Sequence, residues 1–198
     1  MLKQANLFEY FKASTVKKRY GRTVHGGAKT KGHRKLERPL STKKWIHLVL
    51  KSDKARGEFS FLTPKNKIFI GRLVQAKARR FGVRVADQAN VGNHLHLKIK
   101  ISSRENFQKF LISITAQIAR FVTGARRGKS FGKFWQGLAY TRVLSTEKEN
   151  LILGGYFMAN REEAVAGKQG RDVFLASFYD WIYQERRRTK FLPAYRDG

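Results

Sequence analysis

The sequence contains no cysteine. That removes disulfides, thiolate zinc sites and cysteine nucleophiles together. Acidic residues are scarce too: 14 Asp and Glu stand against 42 Lys and Arg, a formal net charge of +28. So large a surplus selects a polyanionic partner, nucleic acid first. No apolar stretch approaches the roughly 18 residues of a membrane span, and Met1-Leu2-Lys3-Gln4 leads into no signal-type run. Internal repeats are missing as well. What the 198 residues do supply is 41% hydrophobic and 13% aromatic side chains, enough for one well-cored domain. The expectation is a soluble, anion-binding domain of the cytoplasm, associated with the bacterial nucleoid and not with a membrane.

The positive charge is spread unevenly. Residues 1–41 carry 11 basic and 2 acidic side chains, residues 42–168 carry 25 and 8, and residues 169–198 carry 6 and 4. The first segment includes Lys17-Lys18-Arg19-Tyr20-Gly21-Arg22 and several glycines, with little apolar periodicity. It reads as a flexible arm, either solubilising or following a phosphate backbone. Residues 42–168 hold the main domain, and 169–198 a closing helix and tail.

Within that domain, Trp45–Lys51 is rich in branched and aromatic residues and predicts a strand. Thr63-Pro64 supplies an N-cap and a first-turn proline for a helix that runs to Gly82. Val83–Val91 and His94–Ile101 predict two strands joined at Gly92-Asn93. Ser102-x-x-Glu105 predicts a capping box for the next helix, with Phe107, Leu111, Ile114, Ile118 and Val122 as its buried stripe. Leu138–Leu144 predicts a fourth strand, and Thr146-x-x-Glu149 caps a helix that ends near Gly167. A last helix covers roughly 173–187. The order β-α-β-β-α-β-α is an α+β, ferredoxin-like sandwich with one antiparallel sheet and an added C-terminal helix. It leaves one face of the sheet open.

Strand side chains alternate between faces, so Leu95, Leu97, Ile99 and Ile101 point to the core. His94, His96, Lys98 and Lys100 then share the open face. Two imidazoles at i and i+2 are close enough to share a divalent metal, and the lysines suit phosphate. A chance His-x-His is the competing explanation, among 5 histidines. His47 falls on a compatible parity, but Trp45 and Val49 alternate with it, which reads as a packed or merely polar histidine.

Tyr156 and Asn160 lie at i and i+4 and share a helix face. A phenol can attack phosphorus, and an amide oxygen can complete a metal site begun by histidines. The alternative is a half-buried aromatic pair, Tyr156 and Phe157. Gly154-Gly155 costs on the order of 1 kcal/mol per residue in a helix relative to alanine, which points to close backbone approach or mobility.

Taken in order, Asn93-His94-Leu95-His96, Gly132-Lys133-Phe134-Trp135-Gln136, Thr141-Arg142-Val143, Tyr156-x-x-x-Asn160 and Gly167 resemble the single-tyrosine HUH transposases. The resemblance is strongest to the branch associated with repetitive extragenic palindromes. It spans about residues 43–168. It implies cleavage and rejoining of single-stranded DNA near hairpins through a 5′-phosphotyrosine. It makes His94 and His96 metal ligands for Mg²⁺ or Mn²⁺, Asn160 the third ligand and Tyr156 the nucleophile. Gly92 and Arg161 stand where these proteins often carry proline.

Around this chemistry, Lys98, Lys100 and the helix cations Lys65, Lys67, Arg72 and Arg79 are expected to hold the DNA backbone. Arg126, Arg127, Lys129 and Arg142 join them. Trp135 is expected to stack on a base or to fill the core. Gly124-Ala125-Arg126-Arg127-Gly128-Lys129-Ser130 imitates a phosphate loop but is one residue short and follows a helix, so no nucleotide cofactor is expected. Partners are hairpin or single-stranded DNA, with the chain a monomer or homodimer. A non-catalytic RNA- or DNA-binding module is the alternative from another class, and a replication initiator or relaxase shares the chemistry in longer chains.

Overall fold

The computed structural model describes residues 24–26 and 37–191. Its centre is a five-stranded antiparallel sheet made of β1 (Val24–His25), β2 (Ile46–Lys51), β3 (Val83–Asn90), β4 (His94–Ile101) and β5 (Tyr140–Val143), in the order β1-β5-β2-β4-β3. The α+β sandwich with a single antiparallel sheet is therefore the observed architecture, extended at one edge by β1. Val24 and His25 pair with Arg142 and Thr141. This short strand belongs to the segment read as an arm; residues 1–23 and 27–36 of that segment lie outside the described residues. Arg38 donates to the Ala139 carbonyl and to Thr141 Oγ1, both at 2.8 Å.

One face of the sheet is the hydrophobic side. Ile46, Leu48 and Leu50 of β2 and Leu95, Leu97 and Ile99 of β4 are at most 2% exposed. Helices α1 (Pro64–Arg80) and α2 (Arg104–Thr123) cover them with Ile70, Val74, Phe107, Phe110, Ile114 and Ile118. The Phe69 and Phe121 rings stack where the two helices meet, centroids 3.6 Å apart. Truncating one of these buried leucines to alanine removes about 2–5 kcal/mol.

The helix starts show what local chemistry decides. Thr63 Oγ1 accepts from Asn66 N at the start of α1, as the Thr-Pro signal requires. In α2 the cap is Ser103, accepting from Asn106 N at 3.1 Å, and not the expected Ser102. β4 keeps Ile101 in the core, and Ser102 Oγ instead takes the Asn106 amide. Glu105 is then free to pair with Lys109 one turn on. Phe110 likewise replaces the half-buried Leu111 in the stripe.

The other face is not open. A helical run, α3 (Glu147–Phe191), is broken at Gly167, whose φ of 70° is outside the helical range. Its first arm, residues 147–166, lies over the histidine-bearing face: Leu153 and Phe157 bury against Ala89 and Leu144, with Trp45 and Tyr156 at the margin. Arg161 ties the arm to β3 through Asp87 and the Gln88 carbonyl. Thr146 Oγ1 accepts from Glu149 N as expected of a cap, but the Glu149 carboxylate turns to Ser145 N and Arg142 and does not complete a capping box. The second arm packs back on the first. A Cβ on Gly155 would run into the Phe178 ring, which explains one of the two paired glycines by close approach. No described helix is long and apolar enough to cross a membrane.

Candidate active site

The alternation of β4 puts His94, His96, Lys98 and Lys100 on one face, and the β2 register puts His47 beside Lys98 and opposite Arg142. The His94 and His96 rings are 4.7 Å apart at 71°. His94 is half-buried and holds Asn93 Oδ1 at 2.5 Å through Nδ1. His96 is only 3% exposed; its Nδ1 is 3.1 Å from His47 Nε2, and its buried Nε2 has no partner among the described residues.

The first arm of α3 brings Tyr156 down onto this pair. Its ring lies 5.2 Å from that of His96 at 81°, and 6.2 Å from that of His47. One turn on, Asn160 is 3% exposed and donates from Nδ2 to the Tyr156 carbonyl at 2.7 Å, which leaves Oδ1 as its atom suited to a cation. The chain thus brings Tyr156, Asn160, His94 and His96 into one neighbourhood from a strand and a helix.

Burial sets the electrostatics. It lowers the His96 pKa well below the usual imidazole value, helped by His47 and His94. It lowers that of His94, with Lys51 adding and Glu163 opposing. His47 is pushed down to about 3, by burial and then by Arg142. Neutral imidazoles are the form that binds metal. Burial also raises the Tyr156 phenol; hydrogen bonding from Asn160 and the Arg171 charge oppose the rise, and Glu163 adds to it. An unaided phenolate is therefore disfavoured here.

These groups fit a divalent cation. The observation that matters is the orphaned, buried Nε2 of His96 beside a second neutral imidazole. Among the described residues no group of three or more His, Cys, Asp or Glu is disposed to hold an ion. His94, His96 and the Asn160 oxygen are the protein donors available, with phosphate and water left to complete the shell. Mixed imidazole and oxygen ligation suits Mn²⁺ well, and Mg²⁺ less so.

Two residues near the site make contacts that their place in the sequence does not reveal. His47 is not a bystander in the packing, since it contacts His96 directly. Its signal was a lone polar residue inside the apolar run Ile46–Leu50. Glu163 lies two turns beyond Tyr156 on the same helix, pairs with Arg171 at 3.0 Å, and acts electrostatically on both His94 and Tyr156. The available signal is its i+7 spacing from Tyr156, which puts both on one helix face.

The cations expected to hold DNA fall into distinct groups. Lys98 and Lys100 share the histidine face, Lys98 over the Trp45 ring at 5.5 Å. Lys65, Lys67, Arg72 and Arg79 are exposed on α1, which covers the opposite face. Arg126, Arg127 and Lys129 are exposed on a turn closed by the Arg126–Lys129 bridge. Arg142 departs from expectation: it is 9% exposed and ion-paired with Glu149, so its guanidinium faces the protein interior. Trp135 packs on Phe61 and Phe134 and donates its indole N–H to the Thr115 carbonyl at 3.0 Å, which is the core alternative.

No family model matches the sequence, and no curated protein is similar to it. Solved structures that match the chain include two transposase-related proteins. A REP-associated tyrosine transposase bound to a REP hairpin aligns with a TM-score of 0.53 and 12% identity, over 68% of this chain and 75% of that one. A Deinococcus radiodurans R1 protein described as a candidate transposase aligns over 65% of this chain and 98% of its own at 14% identity. Its TM-score of 0.41 is too low to bear on the architecture. At 12% identity the first likeness establishes a shared fold: this chain has the sheet and helix arrangement of the tyrosine transposase.

Proposed function

We propose that the chain is a single-tyrosine HUH transposase-like nuclease that cuts and rejoins single-stranded DNA near hairpins. The observation that carries this reading is the Tyr156 ring packed against His96, whose Nε2 is buried and unpartnered. The shared fold with a tyrosine transposase, itself bound to a hairpin, supports it. The catalytic unit is residues 42–168, with 1–41 as a nucleic-acid arm and 169–198 as closing helix and tail.

In the reaction, Tyr156 Oη attacks a backbone phosphorus. The new O–P bond forms as the P–O3′ bond breaks, the phenol proton is released, and the departing 3′ oxygen takes up a proton. The products are a 5′-phosphotyrosine and a free 3′-hydroxyl. Each cut keeps the number of phosphoester bonds constant, so attack by a 3′-hydroxyl reverses it without ATP. His94, His96 and Asn160 would hold a divalent cation, whose charge would supply polarisation of the phosphate. Lys98 and Lys100 hold the strand on the same face.

The test is a denaturing gel after incubation with hairpin-bearing single-stranded DNA and Mn²⁺. A covalent adduct is expected with the wild-type chain and none with Tyr156→Phe. His94→Ala with His96→Ala is expected to end cleavage and leave salt-sensitive binding intact. A non-catalytic binding module would instead show steep salt dependence and no adduct with any metal.

A further inference from the structure

His47 is a buried imidazole that the reaction above leaves without a task. It sits mid-strand in β2, 8% exposed, with its ring stacked on that of His96 at 5.3 Å and 21°. Tyr140, Tyr156 and Phe157 surround it at 5.7 to 6.2 Å. Its Nε2 is 3.1 Å from His96 Nδ1. A neutral imidazole carries one N–H and one lone pair, so that contact is a hydrogen bond in only two ways.

In the first arrangement His47 donates, and His96 must carry its own proton on Nε2. That N–H would be buried with no acceptor among the described residues. In the second, His96 donates from Nδ1 to His47, and the orphaned atom is a lone pair. A buried N–H with no acceptor carries a full desolvation penalty that no cation can relieve. A lone pair at that spot is also what a cation satisfies. His94 follows the same plan: Asn93 Oδ1 can only accept, so the His94 proton is on Nδ1 and its Nε2 is free.

We propose that His47 is a positioning residue that accepts a hydrogen bond from His96 Nδ1 and so presents His96 Nε2 as a metal ligand. Asn93 does the same for His94. The two donors thereby converge through equivalent nitrogens, each locked by a neighbour of different chemistry. Partners of this kind fix both the tautomer and the ring orientation of a ligating histidine, and losing one typically costs 10–100-fold in metal affinity. The inference rests on the metal reading of the site, but its first test does not.

Two measurements decide it. Imidazole ¹⁵N spectra of the metal-free chain, with His96 assigned through His96→Gln, are expected to show the proton on Nδ1; a proton on Nε2 overturns the proposal. In Mn²⁺ titrations followed by electron paramagnetic resonance, His47→Leu is expected to weaken binding by about 10–100-fold. His47→Gln, which keeps an acceptor, recovers most of that loss at a similar thermal midpoint. Wild-type affinity in His47→Leu overturns the role of His47 alone. Binding that survives His96→Ala overturns the metal site itself, and this inference with it. Should His47→Leu not fold, the wild-type spectrum and His47→Gln still decide the matter.

Discussion

The Tyr156 ring meets that of His96 edge to face, 5.2 Å between centroids, although one comes from a helix and the other from the adjacent layer of sheet. The contact exists because 147–166 lies flat on the histidine face, held by Phe157 and Leu153 in a small second core. Anything that lifts this arm separates phenol from imidazole.

Gly154 and Gly155 are expected to respond in opposite directions. Gly154 has nothing within reach of an added Cβ, so Gly154→Ala gains up to about 1 kcal/mol from helix propensity. Gly155→Ala drives a methyl into the Phe178 ring and costs about 1–3 kcal/mol. Urea unfolding of the two variants checks the sign of each.

Arg142 and Glu149 join β5 to the start of α3, both buried. Glu149→Gln leaves the guanidinium charge without its counter-ion and is expected to cost about 3 kcal/mol. Arg142→Met with Glu149→Leu is expected to recover most of it. Arg142→Met alone should lower the thermal midpoint while leaving the salt dependence of DNA binding unchanged. A changed salt slope with an unchanged midpoint would make Arg142 a DNA contact after all.

The two basic surfaces should separate in binding assays. Lys98→Gln with Lys100→Gln is expected to reduce the salt slope by about 0.7 for each lost single-strand phosphate contact, and to reduce adduct yield with it. Neutralising Lys65, Lys67, Arg72 and Arg79, on the far layer, should weaken binding but leave adduct yield at saturating DNA intact.

Acid should destabilise the metal-free protein through its buried imidazoles. His47 takes up a proton only near pH 3 when folded, but near 6.5 when unfolded. The unfolded chain therefore binds more protons between those values, and stability present above pH 6.5 is lost as pH falls. The slope is about 1.4 kcal/mol per pH unit for each such histidine. Denaturation midpoints in chelator at pH 7 and pH 5 measure it, and His47→Gln should flatten the dependence.

Much of the domain was legible because its signals were local. Alternation in His94–Ile101 fixed which side chains meet the core, and Thr63-Pro64 fixed where α1 begins. The starting residue of α2 was not, since Ser102 and Ser103 are both competent caps and the strand's hold on Ile101 decides between them. The cover over the histidine face is not legible, because the amphipathic pattern of 147–166 says that it buries one side, not against what. His47 is packed, as its strand position suggests, but its contact with His96 is not legible for the same reason. A single polar residue in an apolar strand gains meaning only from the neighbour that the β2–β4 register supplies. Arg142 looked like a surface cation until Glu149, one helix start away, was placed beside it.

Tyr140 is the competing phenol, its ring 5.9 Å from His47 and its pKa likewise raised by burial. The most direct measurement is therefore peptide mapping, by mass spectrometry, of the chain after reaction with hairpin DNA and Mn²⁺. A nucleotide phosphate on the peptide bearing Tyr156, and on no other, is the predicted result. Modification at Tyr140, or recovery of every tyrosine unmodified from a reaction that cut the DNA, would contradict it.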